Sequence, residues 1–561
     1  MKSKLFGTLL LVGLAMTACG RRESSSTSDA PSSPGSNNPK GEVKLTFTYG
    51  SEKEEWIKDV TAQFNQQDHR IADGRTINVE AIAEGSGDCI DELLQETRKA
   101  DLTSPASAAF IKLANAESRA KTGKDLIPST ENLVLSPVVI AMWKPMAEAL
   151  GYGQKAVGWS DILTLARDPR GWAGRGHPEW GPFRFGHTNP ESSNSGLMSV
   201  FAEVYAATGK KSALTVADVN DAKTAAFVAG IEQSVVHYGS STGFFGKKMF
   251  ANGSAYLSAA VLYENMVIES YAQTAQPVVA IYPKEGTFWS DHPVGVVDRP
   301  WVTPDKREAA KQYIDYLLAK PQQEKAVPRG FRPSSTEIQL AAPIDAGHGV
   351  DPKEPQTTLE VPSPEVMHAI LALWHANKKH ANITLVFDTS GSMEQQQKMD
   401  NARAAALQLV DLLGDDDQFS LLPFSGVPHW ALQRAAVKSS RDSAKAQITA
   451  MFPKGGTALY DAVAQAYAAH LSSQEQDQEK ISAIVVLTDG DDTNSKTPLD
   501  DLLRQIKFDN ETHTIRVFTI AYGDDAKSEV LQQIADATQA KFYKGNQQNI
   551  RQVLREISTF F

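Results

Sequence analysis

Residues 383–392 read ITLVFDTSGS, and this stretch decides how the last third of the chain is interpreted. Its first half, residues 383–387, is an apolar run typical of a central parallel strand that is covered on both faces. Asp388, Ser390 and Ser392 follow at alternate positions. Ligand-binding groups collect at the carboxyl ends of parallel strands, so we expect these three oxygen-bearing side chains to converge on one point.

Two later segments carry the same chemistry. Gly455-Gly456-Thr457 is a glycine turn that precedes a helical pattern, and Thr488-Asp489-Gly490 ends a second buried strand. All of these donors are oxygen atoms, and none is nitrogen or sulfur. Oxygen-only ligation suits a hard cation, so the three segments predict a site for Mg²⁺, with Mn²⁺ or Ca²⁺ as alternatives.

The three segments together resemble the metal-ion-dependent adhesion site (MIDAS) of von Willebrand factor A (VWFA) domains, and the resemblance covers residues 381–561. The five motif positions are intact as Asp388, Ser390, Ser392, Thr457 and Asp489. The resemblance implies a Rossmann-like, doubly wound α/β fold. It also implies that the hydroxyls of Ser390, Ser392 and Thr457 contact the metal directly, and that the two aspartates often act through bound water.

A dication held mainly by neutral hydroxyls keeps much of its positive charge. It therefore favours an outside carboxylate as a further ligand, and this predicts a protein partner that offers an Asp or Glu side chain. The alternative is that the same Ser and Thr residues only cap helices and turns.

Residues 43–335 show a second alternation of strands and helices. Apolar residues alternate with polar ones along residues 43–49 and 77–83, as in half-buried strands. Trp56, Val60 and Phe64 recur every four residues, as on one face of a helix. The alternation predicts an α/β region with largely parallel sheet.

Three segments of this region bear on function: the Gly85-Ser86-Gly87 turn and the hydroxyl-rich stretches 101–107 and 187–197. They resemble bacterial extracellular solute-binding proteins, and this implies a two-lobed, periplasmic-binding-protein-like (type II) domain with a cleft for a small polar solute. The candidate solute contacts are Ser51, Ser86, Ser104, Ser193 and Ser195. The alternative is that these serines only satisfy turns in a retained scaffold.

Residues 336–380 are rich in proline and are interpreted as a linker that ends in a docking helix. Ser363-Pro364 is typical of a helix N-cap and first turn. The helix that follows presents Val366, Ile370 and Trp374 on one face, so we expect it to pack against one of the two domains.

The amino terminus carries the features of an export signal. Lys2 and Lys4 precede a short apolar run, residues 5–16, which is too short to span a bilayer. The following Met16-Thr17-Ala18-Cys19 resembles the lipobox of bacterial lipoproteins. The resemblance implies that residues 1–18 are a signal peptide, that Cys19 is acylated with fatty acids such as palmitate, and that the polar residues 19–42 are a tether.

This interpretation places the protein in the cell envelope, anchored to a membrane by lipid. Gly20 is not the aspartate that retains such lipoproteins at the inner membrane of Gram-negative cells. The outer membrane is therefore expected where two membranes are present, and the outer face of the plasma membrane otherwise.

Composition excludes several classes of function. Of the 561 residues, 67 are acidic and 56 are basic, so the formal charge of −11 disfavours nucleic-acid binding. Cys19 and Cys89 are too few for a disulfide scaffold. No nucleophile elbow or phosphate-binding glycine loop is present, so we do not expect an enzyme.

The sequence therefore predicts a surface- or periplasm-facing lipoprotein that binds a partner protein in a cation-dependent way. The alternative is a receptor that captures a solute for a transporter or sensor, with the VWFA domain as its coupling module.

Overall fold

The computed structural model describes residues 41–473, 480–507, 515–523 and 526–561. The predicted signal peptide, the predicted acylation site Cys19 and the predicted tether up to residue 40 lie outside the described residues. Within the described ranges, no helix is both long and apolar enough to cross a bilayer.

The amino-terminal region forms two lobes, each built on its own sheet. Its strands are β1 (Glu42–Gly50), β2 (Thr76–Glu84), β3 (Leu102–Ser104), β4 (Glu131–Asn132), β5 (Val134–Trp143), β6 (Phe185–Thr188), β7 (Val235–Gly239), β8 (Ala259–Tyr263), β9 (Val278–Ile281), β10 (Trp289–Ser290), β11 (Pro293–Val296) and β12 (Arg332–Pro333). The first lobe has the strand order β2-β1-β3-β11-β4, and the second has β10-β5-β8-β6-β7 with β9 and β12 also paired to β5.

Helices cover both sheets. They are α1 (Glu54–Gln66), α2 (Ser86–Leu94), α3 (Ala108–Thr122), α4 (Lys144–Leu150), α5 (Trp159–Ala166), α6 (Asn194–Thr208), α7 (Val216–Val219), α8 (Ala222–Glu232), α9 (Thr242–Asn252), α10 (Glu264–Gln273), α11 (Pro304–Leu318) and α12 (Lys320–Ala326).

The two sheets are mixed rather than largely parallel. Strand β1 runs parallel to β2 and β3, but β11 is antiparallel to β3, and β5 is antiparallel to β8. The reason is that the chain crosses from the first lobe to the second between β4 and β5, returns between β10 and β11, and crosses again between α12 and β12. The first two crossings lie side by side, since Leu133 N–H donates to the carbonyl of His292 at 3.1 Å.

The proline-rich linker is packed along the second lobe. Ile344, Val350 and Leu359 are buried, and Leu359 N–H donates to the carbonyl of Thr287 at 2.8 Å. Helix α13 (Pro364–Asn377) follows, capped by the Ser363 hydroxyl. It lies against α6, α7 and α8, so the predicted docking helix belongs to the second lobe.

The carboxyl-terminal domain is a six-stranded sheet with the order β15-β14-β13-β16-β17-β18. All neighbours are parallel except β14 and β15. The strands are β13 (Ala381–Asp388), β14 (Gln418–Phe424), β15 (Leu432–Ala436), β16 (Ile481–Thr488), β17 (Ile515–Tyr522) and β18 (Phe542–Gly545). The helices are α14 (Lys398–Leu412), α15 (Val437–Ala450), α16 (Leu459–Ser472), α17 (Leu499–Ile506), α18 (Ser528–Ala537) and α19 (Ile550–Ser558).

Helix α19 and the last residues contact both lobes. Arg555 forms an ion pair with Asp91 of the first lobe. The carbonyl of Phe560 accepts a hydrogen bond from Tyr238 N–H of the second lobe at 3.1 Å. On its other side α19 packs against α14, the helix that follows residues 388–392. The two lobes and the residues after Asp388 are thus joined through two helices.

Candidate metal centre and solute cleft

Asp388 ends the central strand β13, and its side chain is buried. One carboxylate oxygen accepts the backbone N–H of Ser390 at 2.7 Å. The other accepts the Thr488 hydroxyl of the neighbouring strand β16 at 2.5 Å. Burial raises the pKa of Asp388 to about 6, so the carboxyl is mainly ionised at neutral pH.

The other predicted ligands meet at the same edge of the sheet. The hydroxyl oxygens of Ser390 and Ser392 are 3.0 Å apart, and the Ser392 hydroxyl donates to Asp489 Oδ1 at 2.6 Å. A Cβ atom built on Gly490 would lie 3.6 Å from Ser392 Oγ and 3.7 Å from Thr457 Oγ1, so Thr457 faces the same point. The structure therefore brings all five residues together.

Backbone hydrogen bonds fix the loops that carry them. Gly391 N–H donates to the carbonyl of Gly455 at 3.0 Å, and Lys454 N–H donates to the carbonyl of Thr389 at 2.7 Å. The loop before Thr457 is thereby held against the loop after β13. The convergence is a property of the folded backbone and does not require a bound ion.

Lys398 is a member of this centre that the sequence analysis missed. Its ammonium lies 2.8 Å from Asp489 Oδ2, and both side chains are almost fully buried. Lys398 is the first residue of α14, where the helix dipole disfavours a cation. Because this position is unfavourable for a cation, it was the available signal that Lys398 has a carboxylate partner.

The donor set fits a hard divalent cation. It offers two carboxylates and three hydroxyls, and all five contribute oxygen. These ligands would hold Mg²⁺, and the three neutral hydroxyls among them would leave it partly electropositive. Ser392 is half-buried and the adjoining Gly391 is exposed, so the centre opens to the surface there.

Exposed apolar side chains lie on the loops around this opening. Val427, in the loop after β14, is 72% exposed, and Phe452, in the loop before Thr457, is 60% exposed. They are the two most exposed large hydrophobic residues in the described part of the chain. Lys454 adds a cation, with its ammonium 5.0 Å from the centre of the Phe452 ring.

Four of the five predicted solute contacts already have protein partners. Ser51 Oγ accepts Gly243 N–H of the second lobe at 3.0 Å, and Ser86 Oγ accepts Ala106 N–H at 2.9 Å. The hydroxyls of Ser193 and Ser195 share Thr242 Oγ1 at 3.1 and 3.0 Å.

The fifth, Ser104, differs from the others. Its hydroxyl is fully buried and has no hydrogen-bond partner in the described part of the chain. Asn194 Oδ1, at the start of α6 in the opposite lobe, is also buried and unpartnered. Ser104 Oγ and Asn194 Oδ1 are thus orphaned buried polar atoms on opposite lobes, of the kind that a small polar solute would satisfy.

A buried charged group that the sequence analysis missed lies between the same lobes. Lys53 Nζ is 2.7 Å from Glu52 Oε1 and 3.1 Å from His292 Nδ1. Burial and the neighbouring Lys53 ammonium lower the pKa of His292 to about 4, so its ring is neutral. Lys53 follows directly after Ser51 and Glu52 at the end of β1. This proximity to a predicted solute contact was the only signal in the sequence that Lys53 lies between the lobes.

The lobes are closed on each other. Gly87 N–H donates to the carbonyl of Ser192 across the interface at 2.8 Å, and a Cβ atom on Gly87 would lie 1.8 Å from the carbonyl oxygen of Glu191. Only glycine permits this approach. Beside the contact, a cleft of about 830 Å³ is lined by both lobes and by α19, including Asp88, Ser241 and Arg551.

Residues 45–332, just over half of the chain, match the family model described as bacterial extracellular solute-binding protein. Residues 382–557 match the von Willebrand factor type A domain. An uncharacterized protein of Synechocystis is 28% identical over 165 residues, which are 29% of this chain and 37% of that protein.

Pig (Sus scrofa) inter-alpha-trypsin inhibitor heavy chain H4 is 31% identical over 173 residues, which are 29% of this chain and 18% of that protein. The chain thus covers well under half of the length of both relatives. Among solved structures, the periplasmic binding protein AfuA of Actinobacillus pleuropneumoniae has a TM-score of 0.42 and 15% identity, over 61% of this chain and 100% of that one.

Proposed function

The chain belongs to the family of bacterial extracellular solute-binding proteins and continues into a von Willebrand factor type A domain, and we propose that this second domain binds a partner protein through a divalent cation. The cation is Mg²⁺, or Mn²⁺ or Ca²⁺ in its place. A carboxylate of the partner is its outside ligand.

One observation carries the proposal. Five oxygen-bearing side chains, from segments up to a hundred residues apart, meet at one edge of the sheet and open to the surface beside Gly391. A purely structural role for Ser390 and Ser392 would not require this convergence of carboxylates and hydroxyls.

The rim of the centre indicates the chemistry of the partner. Val427 and Phe452 expose apolar surface, and Lys454 adds positive charge beside the ring of Phe452. A partner segment with an Asp or Glu next to an apolar residue would match these features, because its carboxylate ligates the metal while its apolar neighbour covers Phe452.

The test is capture of envelope proteins by immobilised protein that begins at residue 20, with Mg²⁺ or with chelator. The matched variants are Ser392→Ala, which removes a ligand, and Ser439→Ala, which removes an exposed hydroxyl of α15. We expect bands that require Mg²⁺, disappear with Ser392→Ala and persist with Ser439→Ala. Identical bands in Mg²⁺ and in chelator would contradict the proposal.

Capture of a small polar solute for a transporter or sensor is the second candidate. The unpartnered Ser104 Oγ and Asn194 Oδ1 on opposite lobes favour it. Lys53 is already paired with Glu52, so a neutral or zwitterionic solute fits better than a bare oxyanion. A rise in Tm with one such solute, unaffected by chelator and absent in Ser104→Ala, would support this function.

We further propose that the protein acts without catalysis and is held in the envelope by acyl chains on Cys19. The lipobox-like residues 16–19 are the support for the anchor. Mass spectrometry of the amino-terminal peptide tests it: an acylated cysteine is expected, and an unmodified Cys19 in the mature protein would contradict it.

A further inference from the structure

A second cluster of metal-ligating side chains lies in the core of the second lobe, away from the centre at Asp388. His187 on β6, Glu203 on α6 and Glu232 at the end of α8 each place a donor atom within 4.8 Å of the other two. All three side chains are fully buried. The carboxyl end of β6 and two helices that pack on each other hold them in position.

Hydrogen bonding fixes the orientation of the histidine. Its Nδ1 lies 2.7 Å from the carbonyl oxygen of Thr188, which can only accept, so Nδ1 carries a hydrogen. Nε2 then points at Glu232 Oε1 at 3.0 Å. A ring whose Nδ1–H is held by a backbone carbonyl leaves Nε2 as the nitrogen that can ligate a metal, and here Nε2 lies beside Glu232 Oε1, another candidate ligand.

Glu203 supplies the independent observation. Its Oε1 accepts the Ser199 hydroxyl at 3.0 Å, but its buried Oε2 has no hydrogen-bond partner among the described residues. A cation between the three residues would give this orphaned oxygen a partner and would neutralise the buried carboxylates.

The spacing accommodates an ion. Three atoms that are at most 4.8 Å apart lie within about 2.8 Å of a common centre, and small side-chain shifts reach the 2.0–2.2 Å that Zn²⁺ takes to nitrogen and carboxylate oxygen. Tyr238 holds Glu232 from the outside, since its hydroxyl donates to Oε2 at 2.6 Å. The outer hydrogen bonds that orient a metal ligand are therefore present.

We propose that His187, Glu203 and Glu232 form a structural site for a divalent transition ion, of which Zn²⁺ fits best. One nitrogen and two carboxylate ligands suit Zn²⁺ better than Mg²⁺. The ion neutralises two carboxylates in the core and ties β6 to α6 and α8.

The location gives the ion a role in holding the domains together. Tyr238 accepts Lys379 N–H at 3.3 Å, and its ring packs edge-on against Trp374 of the docking helix at 5.4 Å between centres. Lys379 lies two residues before the strand β13, which leads to Asp388. The site thus orders the junction between the second lobe and the carboxyl-terminal domain.

Zinc binding by the full chain tests the proposal, with excess Mg²⁺ present to occupy the oxygen-only centre. Protein is equilibrated with Zn²⁺, dialysed and measured by mass spectrometry for bound metal. We expect about one equivalent of Zn²⁺ in the wild type and in Glu337→Gln, which changes an exposed glutamate of the linker. Glu203→Gln keeps the size of the side chain but removes a carboxylate ligand, and we expect it to lose the zinc.

Zn²⁺ retained in Glu203→Gln would overturn the proposal, and so would a wild type that binds no Zn²⁺. If Glu203→Gln fails to fold, X-ray absorption spectroscopy of the zinc bound to the wild type tests the proposal instead. One histidine nitrogen among oxygen ligands is expected, and a shell without histidine would overturn the assignment. A histidine ligand distinguishes this site from the oxygen-only centre at Asp388, so the X-ray absorption result does not depend on whether that centre binds a metal or a partner.

Discussion

The ammonium of Lys398 lies 2.8 Å from Asp489 Oδ2, with 4% and 0% of the two side chains exposed. The same carboxylate accepts the Ser392 hydroxyl through its other oxygen. The Lys398 ammonium therefore already neutralises Asp489, which we assign as a ligand of the metal. Lys398 is expected to set how tightly the centre holds a dication, since a second positive charge so close opposes the first.

Lys398→Met should tighten Mg²⁺ binding. Methionine keeps the length of the side chain but removes the charge, so Asp489 is left as a buried carboxylate that only the metal can compensate. We expect Kd for Mg²⁺ to fall by about tenfold, which corresponds to about 1.4 kcal/mol. Isothermal titration calorimetry measures this Kd. The control is Lys438→Met, which replaces an exposed lysine of α15. A Kd that is unchanged or weaker in Lys398→Met would show that the lysine supports the metal ligands instead of competing.

Phe452→Ala should weaken partner capture and leave Mg²⁺ binding unchanged. The ring is 60% exposed, so its loss costs little stability, but it removes the largest apolar surface on the rim of the centre. We expect partner affinity to fall by about tenfold, measured by surface plasmon resonance with the captured partner. Equal affinity of Phe452→Ala and wild type would exclude this rim from the interface.

The solute-binding and VWFA resemblances found in the sequence are confirmed, and so is the α/β fold of both regions. Buried strands such as β13 and β16 are long apolar runs, and the positions of Asp388 and Asp489 follow from where those runs end. Apolar periodicity and polar residues at the ends of strands are patterns of neighbouring residues, so they can be recognised in the sequence.

Contacts between distant segments could not be predicted in this way. Nothing local shows that Lys398 reaches Asp489, or that Glu203 and Glu232 share one site with His187. The mixed sheets were missed because strand direction depends on where the chain crosses between lobes. The roles of the metal ligands, of the five serines and of Cys19 stay predictions.

Asp88→Asn should make the protein more stable at alkaline pH. Burial and the nearby Asp91 and Glu556 raise the pKa of Asp88 to about 8, against an ordinary value of 3.8. Between these values the folded protein keeps the proton and the unfolded chain releases it, so stability falls as pH rises. Asparagine imitates the protonated form and removes this loss.

We expect Asp88→Asn to raise Tm by about 2–4 °C at pH 8 and to have a smaller effect at pH 4–5, where the unfolded chain also retains part of the proton. Thermal denaturation across pH 4–9 measures the effect, with the exposed Glu80→Gln of β2 as control. A Tm difference that is constant with pH would refute a raised pKa at Asp88.

Phe560→Ala should loosen the carboxyl-terminal domain from the second lobe. The ring is 4% exposed and packs on Phe518 of its own domain and on Phe244 and His237 of the lobe, with centres 4.8, 5.9 and 6.1 Å away. Removing it leaves a cavity that costs about 3 kcal/mol. Hydrogen exchange should accelerate in β7 and α9, whereas the exposed Phe452→Ala leaves it unchanged. Unaltered exchange in Phe560→Ala would show that the interface does not depend on this residue.

Calorimetric titration of Mg²⁺ into the full chain tests the central claim most directly. The account predicts one saturable Mg²⁺ binding event at neutral pH, a matching event with Mn²⁺ once the site at His187 is filled with Zn²⁺, and the loss of both when Ser390→Ala and Ser392→Ala are combined in a protein of normal secondary structure. A folded wild type that shows no binding of either ion, or a double variant that binds as tightly as the wild type, would contradict it.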